Sequence, residues 1–197
     1  MEELALVLIK PDGVELSLVG EILSHLDMLD IYLVGAKVIK PSFELLKNHY
    51  FEHRNKIFFQ DVINYMLGKY HHFNFIYAFC YYGDNACKKI REIAGKTNPM
   101  DREDSKKIIT IRQKYGKNII VTDKDGKEII DNGHVLVRFE NVIHASFSDK
   151  AEYEVKLWFK PEEIIEDYRI YKTKLDSNNN LVWEKDFLIL RKEIFGE

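Results

Sequence analysis

The sequence predicts an α+β fold in which a βαββαβ order of elements builds a ferredoxin-like antiparallel sheet with covering helices. Apolar runs rich in branched or aromatic residues recur at Leu4 to Lys10, Ile31 to Ile39, Phe73 to Tyr82 and Asn141 to Ala145, each of strand length. Helical spacings of apolar residues fall between them, at Leu18 to Leu29 and at Ala86 to Ala94. With 197 residues, 46% hydrophobic and 13% aromatic, the chain can bury one sizeable core. One domain over 1–197 is the simplest division, with an insertion near 113–140 and a C-terminal extension near 168–197.

The elements follow in order. Leu4 to Lys10 reads as a buried strand, and Lys10-Pro11-Asp12-Gly13 ends it as a turn leading into a loop. Ser17 is a candidate N-cap for the helix Leu18 to Leu29. Ile31 to Ile39 is the next strand, followed by two shorter helices at Ser42 to Glu52 and Asp61 to Leu67 with the aromatic pair Phe58-Phe59 between them. Lys69 to Asn74, with His71 and His72, reads as a hairpin tip. After the helix at Ala86 to Ala94, residues from Gly95 to about Arg112 form a polar, loop-like stretch. Between Arg112 and Asn141 two hairpin signals, Asp125-Gly126 and Asn132-Gly133, flank three short strands, Ile119 to Thr122, Glu128 to Ile130 and Val135 to Phe139, and mark a β-rich insertion. Tyr168 to Lys174 and Leu181 to Leu190 flank a Ser-Asn-Asn-Asn turn and suggest a C-terminal hairpin. This order leaves the helices on one face of the sheet.

Composition excludes several classes. A net charge of −3 with both signs interspersed gives no basic field for duplex nucleic acid, so no specific nucleic acid is predicted as a partner. Two cysteines, Cys80 and Cys87, are too few for a disulfide framework and lack zinc-site spacing, which fits a reducing, cytoplasmic location. The Met-Glu-Glu start has no basic n-region and no apolar run reaches about 18 residues, so no targeting segment or membrane is expected.

The chemistry concentrates at Asn141-Val142-Ile143-His144-Ala145-Ser146. His144 ends a short strand directly before a helix start, where its imidazole would be aimed into a site. Ser146 and Asp149 read as the capping arrangement of that helix. Ala151, Val155 and Trp158 then form one apolar stripe, and Glu154 falls on it instead of on the wet face. A carboxylate facing inward needs a partner, and a nearby imidazole, with Ser146 between them, supplies one. The result is an oriented, activated histidine. Taken alone, a histidine is more often exposed or a hydrogen-bonded core residue, and His25, His49, His53, His71, His72 and His134 keep that ordinary reading.

Gly95-Lys96-Thr97 imitates the end of a phosphate loop, but position 90 is Ile90 and the segment follows a helix instead of joining a strand to one. Phosphate recognition therefore falls to side chains at element ends: Lys10, Arg91, Thr97 and Arg112. Each taken singly is an ordinary surface charge or hydroxyl. Phe58, in a polar-flanked loop, can stack on a flat base, or plug the core.

Together the pieces resemble the nucleoside diphosphate kinases. The resemblance is carried, in collinear order, by Ile9-Lys10-Pro11-Asp12-Gly13, Leu18-Val19-Gly20-Glu21-Ile22, His49-Tyr50, Phe58-Phe59, Tyr65-Met66, Arg91, Gly95-Lys96-Thr97-Asn98-Pro99, Thr110-Ile111-Arg112, Asn141 to Ser146 and Leu157-Trp158-Phe159. It reaches about Asp167 and leaves out the insertion and the tail. It implies ping-pong transfer of the γ-phosphate of a nucleoside triphosphate to a nucleoside diphosphate through a phosphohistidine at His144. It further implies that Glu154 and Ser146 orient that ring and that Lys10 and Asn141 contact the sugar hydroxyl and phosphates. Arg91, Thr97 and Arg112 would hold phosphates, Phe58 would stack on the base, and Tyr50 would support the site beside Lys10. Mg2+ would arrive with the nucleotide, with no protein metal ligands, and the enzyme would be a homo-oligomer.

This chain departs from the family pattern in places. Phe147 stands where an acid is usual, Ile57 where proline is usual, and Asn55 where an acid could hold magnesium through water. Gly116 to Ile120 imitates the nucleophile motif, but the next residue is Val121, and only Asn141 and His144 are followed by Ser146, Glu154 and Trp158. The rival from another class is a nucleotide-binding or regulatory protein that kept the fold and lost the chemistry. A single-strand nucleic-acid platform lacks its glycine-aromatic signature here.

Overall fold

The computed structural model describes residues 2–101, 108–165, 167–175, 177–178 and 181–189, with 167–175 and 181–189 described as backbone. The core sheet has four strands, β1 (Glu2–Ile9), β2 (Tyr32–Ile39), β3 (Ile76–Asp84) and β8 (Ile143–Ala145), in the order β2-β3-β1-β8. All neighbours are antiparallel: Leu6 pairs with Cys80 across β1/β3, and Leu8 with His144 across β1/β8. This is the split βαββαβ arrangement that the sequence predicts.

The helices cover both faces, not one. β1 shows why: Leu4 to Ile9 are buried in an unbroken run, which a strand with one wet face would not have. On one side Ala5, Val7 and Ile9 pack with Ile22 and Leu26 of α2 (Val19–Asp27) and Ile90 and Ala94 of α5 (Ala86–Ala94). On the other, Leu4, Leu6 and Leu8 meet Leu46 of α3 (Phe43–His49), Ile63 and Met66 of α4 (Phe59–Met66), and Val155 and Trp158 of α7 (Ala151–Trp158).

Local chemistry moves some boundaries. Pro11 starts a short helix, α1 (Pro11–Glu15), where a turn and loop were expected, because proline suits the first helical position. Ser17 does not cap α2; it sits at φ +57° and Leu18 takes the cap position without a side-chain bond. Lys69 to Asn74 connects α4 to β3 and is not a hairpin tip, and His71 is buried against Glu15. Ser42 and Thr110 do cap α3 and α6 (Ile111–Tyr115), the latter with Gln113 in a reciprocal capping box. Thus Arg112 lies on a helix, while 102–107 of the expected loop fall outside the described residues.

The insertion is β-rich but has four short strands where three were expected. β4 (Lys117–Ile120) pairs with β7 (Val137–Glu140), and β5 (Ile130–Asp131) pairs with β6 (His134–Val135) around Asn132-Gly133, both at positive φ. The tail hairpin is present as β9 (Asp167–Leu175) and β10 (Leu181–Ile189). Leu190 and the rest of the predicted extension lie outside the described residues.

Candidate functional site

One cleft of about 950 Å3 gathers nearly every side chain singled out from the sequence: Lys10, Tyr50, Phe58, Arg91, Thr97, Arg112, Asn141, His144 and Glu154. Ser146 is the exception. Its hydroxyl accepts from the Leu6 amide at 2.8 Å and donates to the Leu6 carbonyl at 3.4 Å, so it ties the end of β8 to β1 instead of standing between His144 and Glu154. Nor does it cap α7, which begins at Ala151 with Lys150 as its cap residue and no side-chain bond there.

Glu154 reaches the imidazole directly. Its Oε2 lies 2.8 Å from His144 Nε2, and both side chains are largely shielded, at 9% and 17% exposure. An ionised carboxylate only accepts, so this contact places the ring proton on Nε2 and leaves the lone pair on Nδ1. Burial, with Lys10, Arg112 and Arg91 nearby, holds the His144 pKa well below the usual imidazole range, so the ring is neutral. Burial also raises the Glu154 pKa, opposed by His49 and Lys150.

The position of His144 follows from a strained turn. Val142, a β-branched residue, adopts φ +57°, a conformation that costs on the order of 1–3 kcal/mol. Two contacts hold it: its amide donates to Asp12 Oδ2 at 2.9 Å and its carbonyl accepts from the Lys10 amide at 2.9 Å. Gly13 makes room, since a Cβ there would stand 2.8 Å from the Val142 oxygen. Arg112 then clasps the next carbonyl, donating through Nε and Nη2 to Ile143 at 3.3 and 2.9 Å, while Nη1 reaches Gly95 at 2.7 Å.

The cations are held in place before any ligand arrives. Lys10 Nζ donates to Asn141 Oδ1 at 2.6 Å, and Asn141 donates to the Thr97 carbonyl at 2.7 Å. Burial, then Arg112, lowers the Lys10 pKa to about 7, against the opposing pull of Asp12. Arg112 is lowered to about 10 by burial and by Arg91. Arg91 donates to the Ala145 carbonyl at 3.3 Å, and its guanidinium carbon lies 3.3 Å from the Phe147 ring centroid. The aromatic that replaces the usual acid therefore orients an arginine by stacking. Burial raises the Tyr50 pKa, so its phenol stays protonated.

Two site residues escaped the sequence reading. In the sequence Asp12 reads as part of a turn and of the resemblance motif Ile9 to Gly13, with no role in the site. His49 was given the ordinary reading, yet its ring packs edge-on to His144 with centroids 4.6 Å apart, and its Nδ1 accepts from Trp158 Nε1 at 3.1 Å. The motif His49-Tyr50 was the available signal. An indole N–H only donates, so His49 carries its proton on Nε2; burial chiefly lowers its pKa to about 3, keeping it neutral.

The arrangement suits transfer of an anionic group: a neutral nucleophilic nitrogen, a carboxylate behind it and fixed cations around it. Ligand atoms of His49, His144 and Glu154 lie within 4.8 Å of one another, but two imidazoles and one carboxylate make a poor set for Mg2+, which prefers oxygen. No described helix is long and apolar enough to cross a membrane.

Comparison with known proteins gives a consistent result. A family model for nucleoside diphosphate kinase matches residues 3–164. The chain is 36% identical over 168 residues to nucleoside diphosphate kinase A of Rattus norvegicus, covering 85% of this chain and 91% of that protein. It is 37% identical over 165 residues to the Pyrococcus furiosus nucleoside diphosphate kinase, covering 83% and 87%. A solved Halobacterium salinarum nucleoside diphosphate kinase, in complex with CDP, aligns with a TM-score of 0.63 at 28% identity, covering 84% of this chain and 92% of that one.

Proposed function

Since the chain belongs to the nucleoside diphosphate kinase family, we propose that its phosphotransfer runs through Nδ1 of His144. The enzyme moves the γ-phosphate of a nucleoside triphosphate to a nucleoside diphosphate in two half-reactions. In the first, the Nδ1 lone pair attacks the γ-phosphorus in line, the bond to the bridging oxygen breaks, and the nucleoside diphosphate leaves with that electron pair. In the second, a terminal oxygen of another diphosphate attacks the phosphorus and the imidazole departs neutral. The observation that carries this assignment is the neutral, shielded imidazole fixed through Nε2 on Glu154 at 2.8 Å inside a cation-lined cleft.

Each other residue has a task. As the P–N bond forms, the ring gains positive charge, and Glu154 offsets it through Nε2–H. Lys10, Arg91 and Arg112 stabilise charge on the phosphate oxygens, Thr97 and Asn141 position the phosphates and sugar, and Phe58 stacks on the base while Tyr50 supports the site. Ser146 acts through the β8 backbone. Mg2+ would bind with the nucleotide and offset phosphate charge there; among the described residues the one cluster of potential ligands is His49, His144 and Glu154, which is not an all-oxygen set.

We read residues 1–197 as one catalytic domain, active in the cytoplasm as a homo-oligomer. Two free, buried cysteines are in keeping with a reducing compartment. Exposed Ile108, Ile109, Ile120 and Ile130 are suited to a subunit contact. Light scattering showing a monomer at micromolar concentration would remove the oligomer from this account.

Incubation with γ-labelled nucleoside triphosphate and Mg2+ tests the central assignment. An acid-labile, base-stable phosphoprotein should form and discharge its label to a second nucleoside diphosphate. His144→Ala should take no label; a labelled His144→Ala protein would refute the assignment.

A further inference from the structure

The insertion supplies a wall of the cleft. Val137, Arg138 and Phe139 of β7 line it together with Phe58. Arg138 is pinned there. Its Nη1 donates to Asp61 Oδ1 at 2.9 Å, its Nε donates to Glu140 Oε1 at 3.1 Å, and its guanidinium carbon lies 4.0 Å from the Tyr70 ring centroid. Asp61 is in turn fixed by the Tyr70 hydroxyl at 3.0 Å. Asp61 stands in the first turn of α4, whose cap residue is Phe58, so an arginine anchored on Asp61 is held at the end of the cleft where Phe58 lies. The arginine side chain is 11% exposed and cannot swing freely toward the phosphates.

A guanidinium offers five N–H donors in a fixed plane. The two bonds above use Nε and Nη1, and Nη2 donates to no acceptor among the described residues. Stacking on Phe58 alone does not distinguish bases, because every base has a π-face. A pinned cationic donor beside that stack does, since it rewards an acceptor oxygen on the base edge.

We propose that Arg138 reads the nucleobase, favouring bases with a ring carbonyl oxygen over adenine, which has none. The proposal rests on the phosphotransfer reading and deepens it by assigning the substrate preference of the same cleft.

The test compares two diphosphates that differ at one position of the purine. Enzyme phosphorylated with γ-labelled GTP is isolated, and discharge of the label is timed with subsaturating IDP, which has a carbonyl at position 6, and with ADP, which has an amino group. A charge-assisted hydrogen bond to the base predicts discharge about tenfold faster with IDP. In Arg138→Met the ratio should fall toward unity. Arg138→Lys, which keeps a charge facing Asp61 and Glu140, should retain part of it and serves if the methionine variant does not fold. Equal discharge by IDP and ADP in the unaltered enzyme overturns the proposal, as does an unchanged ratio in a variant that still takes label. Failure of the unaltered enzyme to take label from any triphosphate would instead strike the phosphohistidine assignment, and this proposal would fall with it.

Discussion

Replacing Glu154 by glutamine isolates the charge behind the nucleophile from its geometry. The amide oxygen can still accept from His144 Nε2–H across the 2.8 Å contact, so the ring orientation and its Nδ1 lone pair persist. What disappears is the negative charge opposite the positive charge that forms on the ring with the P–N bond. The pair is shielded, at 17% and 9% exposure, so solvent screens it little. A net contribution of about 1.5–3 kcal/mol for a hydrogen bond to a charged group corresponds to roughly a 10- to 100-fold slower phosphorylation. An effective dielectric near 20 allows about 4 kcal/mol at about 4 Å, so this range lies below the ceiling. Because the resting imidazole is neutral, nucleotide affinity should change little and the loss should appear in the single-turnover rate, measured by rapid quench with labelled triphosphate. Burial raises the Glu154 pKa, so the unaltered enzyme should slow in acid as this carboxylate protonates, while the glutamine variant lacks that contribution. A Glu154→Gln enzyme phosphorylated within about twofold of the unaltered rate would refute the assigned role of the charge.

Other perturbations read other parts of the cleft. With its Lys10 pKa lowered to about 7, the free enzyme should lose nucleotide affinity as pH rises through neutrality, so kcat/KM should fall there; Lys10→Arg should shift that limb to higher pH. His49, lowered to about 3 from 6.5, remains neutral when folded and takes up a proton on unfolding between those values. Stability should therefore decline as pH falls through that window, and His49→Phe should reduce the slope by about one proton in urea titrations while orphaning the Trp158 N–H at a cost of about 1–3 kcal/mol. Asp12→Ala should destabilise the fold by a similar 1–3 kcal/mol by leaving the Val142 amide unpaired and should also slow labelling of His144, whereas Asp12→Asn, still an acceptor, should do less. Chemical denaturation paired with phosphoprotein formation measures both effects.

The core strands were legible because their apolar runs are long and bounded by turn residues. The same continuity in Leu4 to Ile9 was the signal for burial on both faces, although the order of elements alone suggested one covered face. Pro11-Asp12-Gly13 misled because the residues that favour a turn also suit a helix's first turn, and the choice was made by packing against Val142. Glu154 could be found from the sequence because one carboxylate broke a regular stripe. The contacts of Asp12 and His49 could not, although both residues stand in motifs that carry the family resemblance: their partners lie 130 and 109 residues away, at Val142 and Trp158, and nothing local reports such a pairing. Ser146 was placed near the site, but its direction was wrong because its hydroxyl is claimed by the Leu6 backbone.

The groups assigned to hold phosphate are also the groups that hold the nucleophile's backbone. Lys10 presents Nζ to the cleft while its amide fixes the Val142 carbonyl, and Arg112 lines the cleft while gripping the Ile143 carbonyl. Val142 is the strained link between them, and His144 follows Ile143 directly. Charge for the ligand and alignment of the attacking nitrogen are therefore properties of one rigid unit. Such coupling suits a reaction in which the protein contributes positioning and electrostatics. It also explains why the insertion can alter the far wall through Arg138 without touching the chemistry: its bonds run to Asp61 and Glu140, and neither of those carboxylates bonds the Val142 turn or the His144 ring.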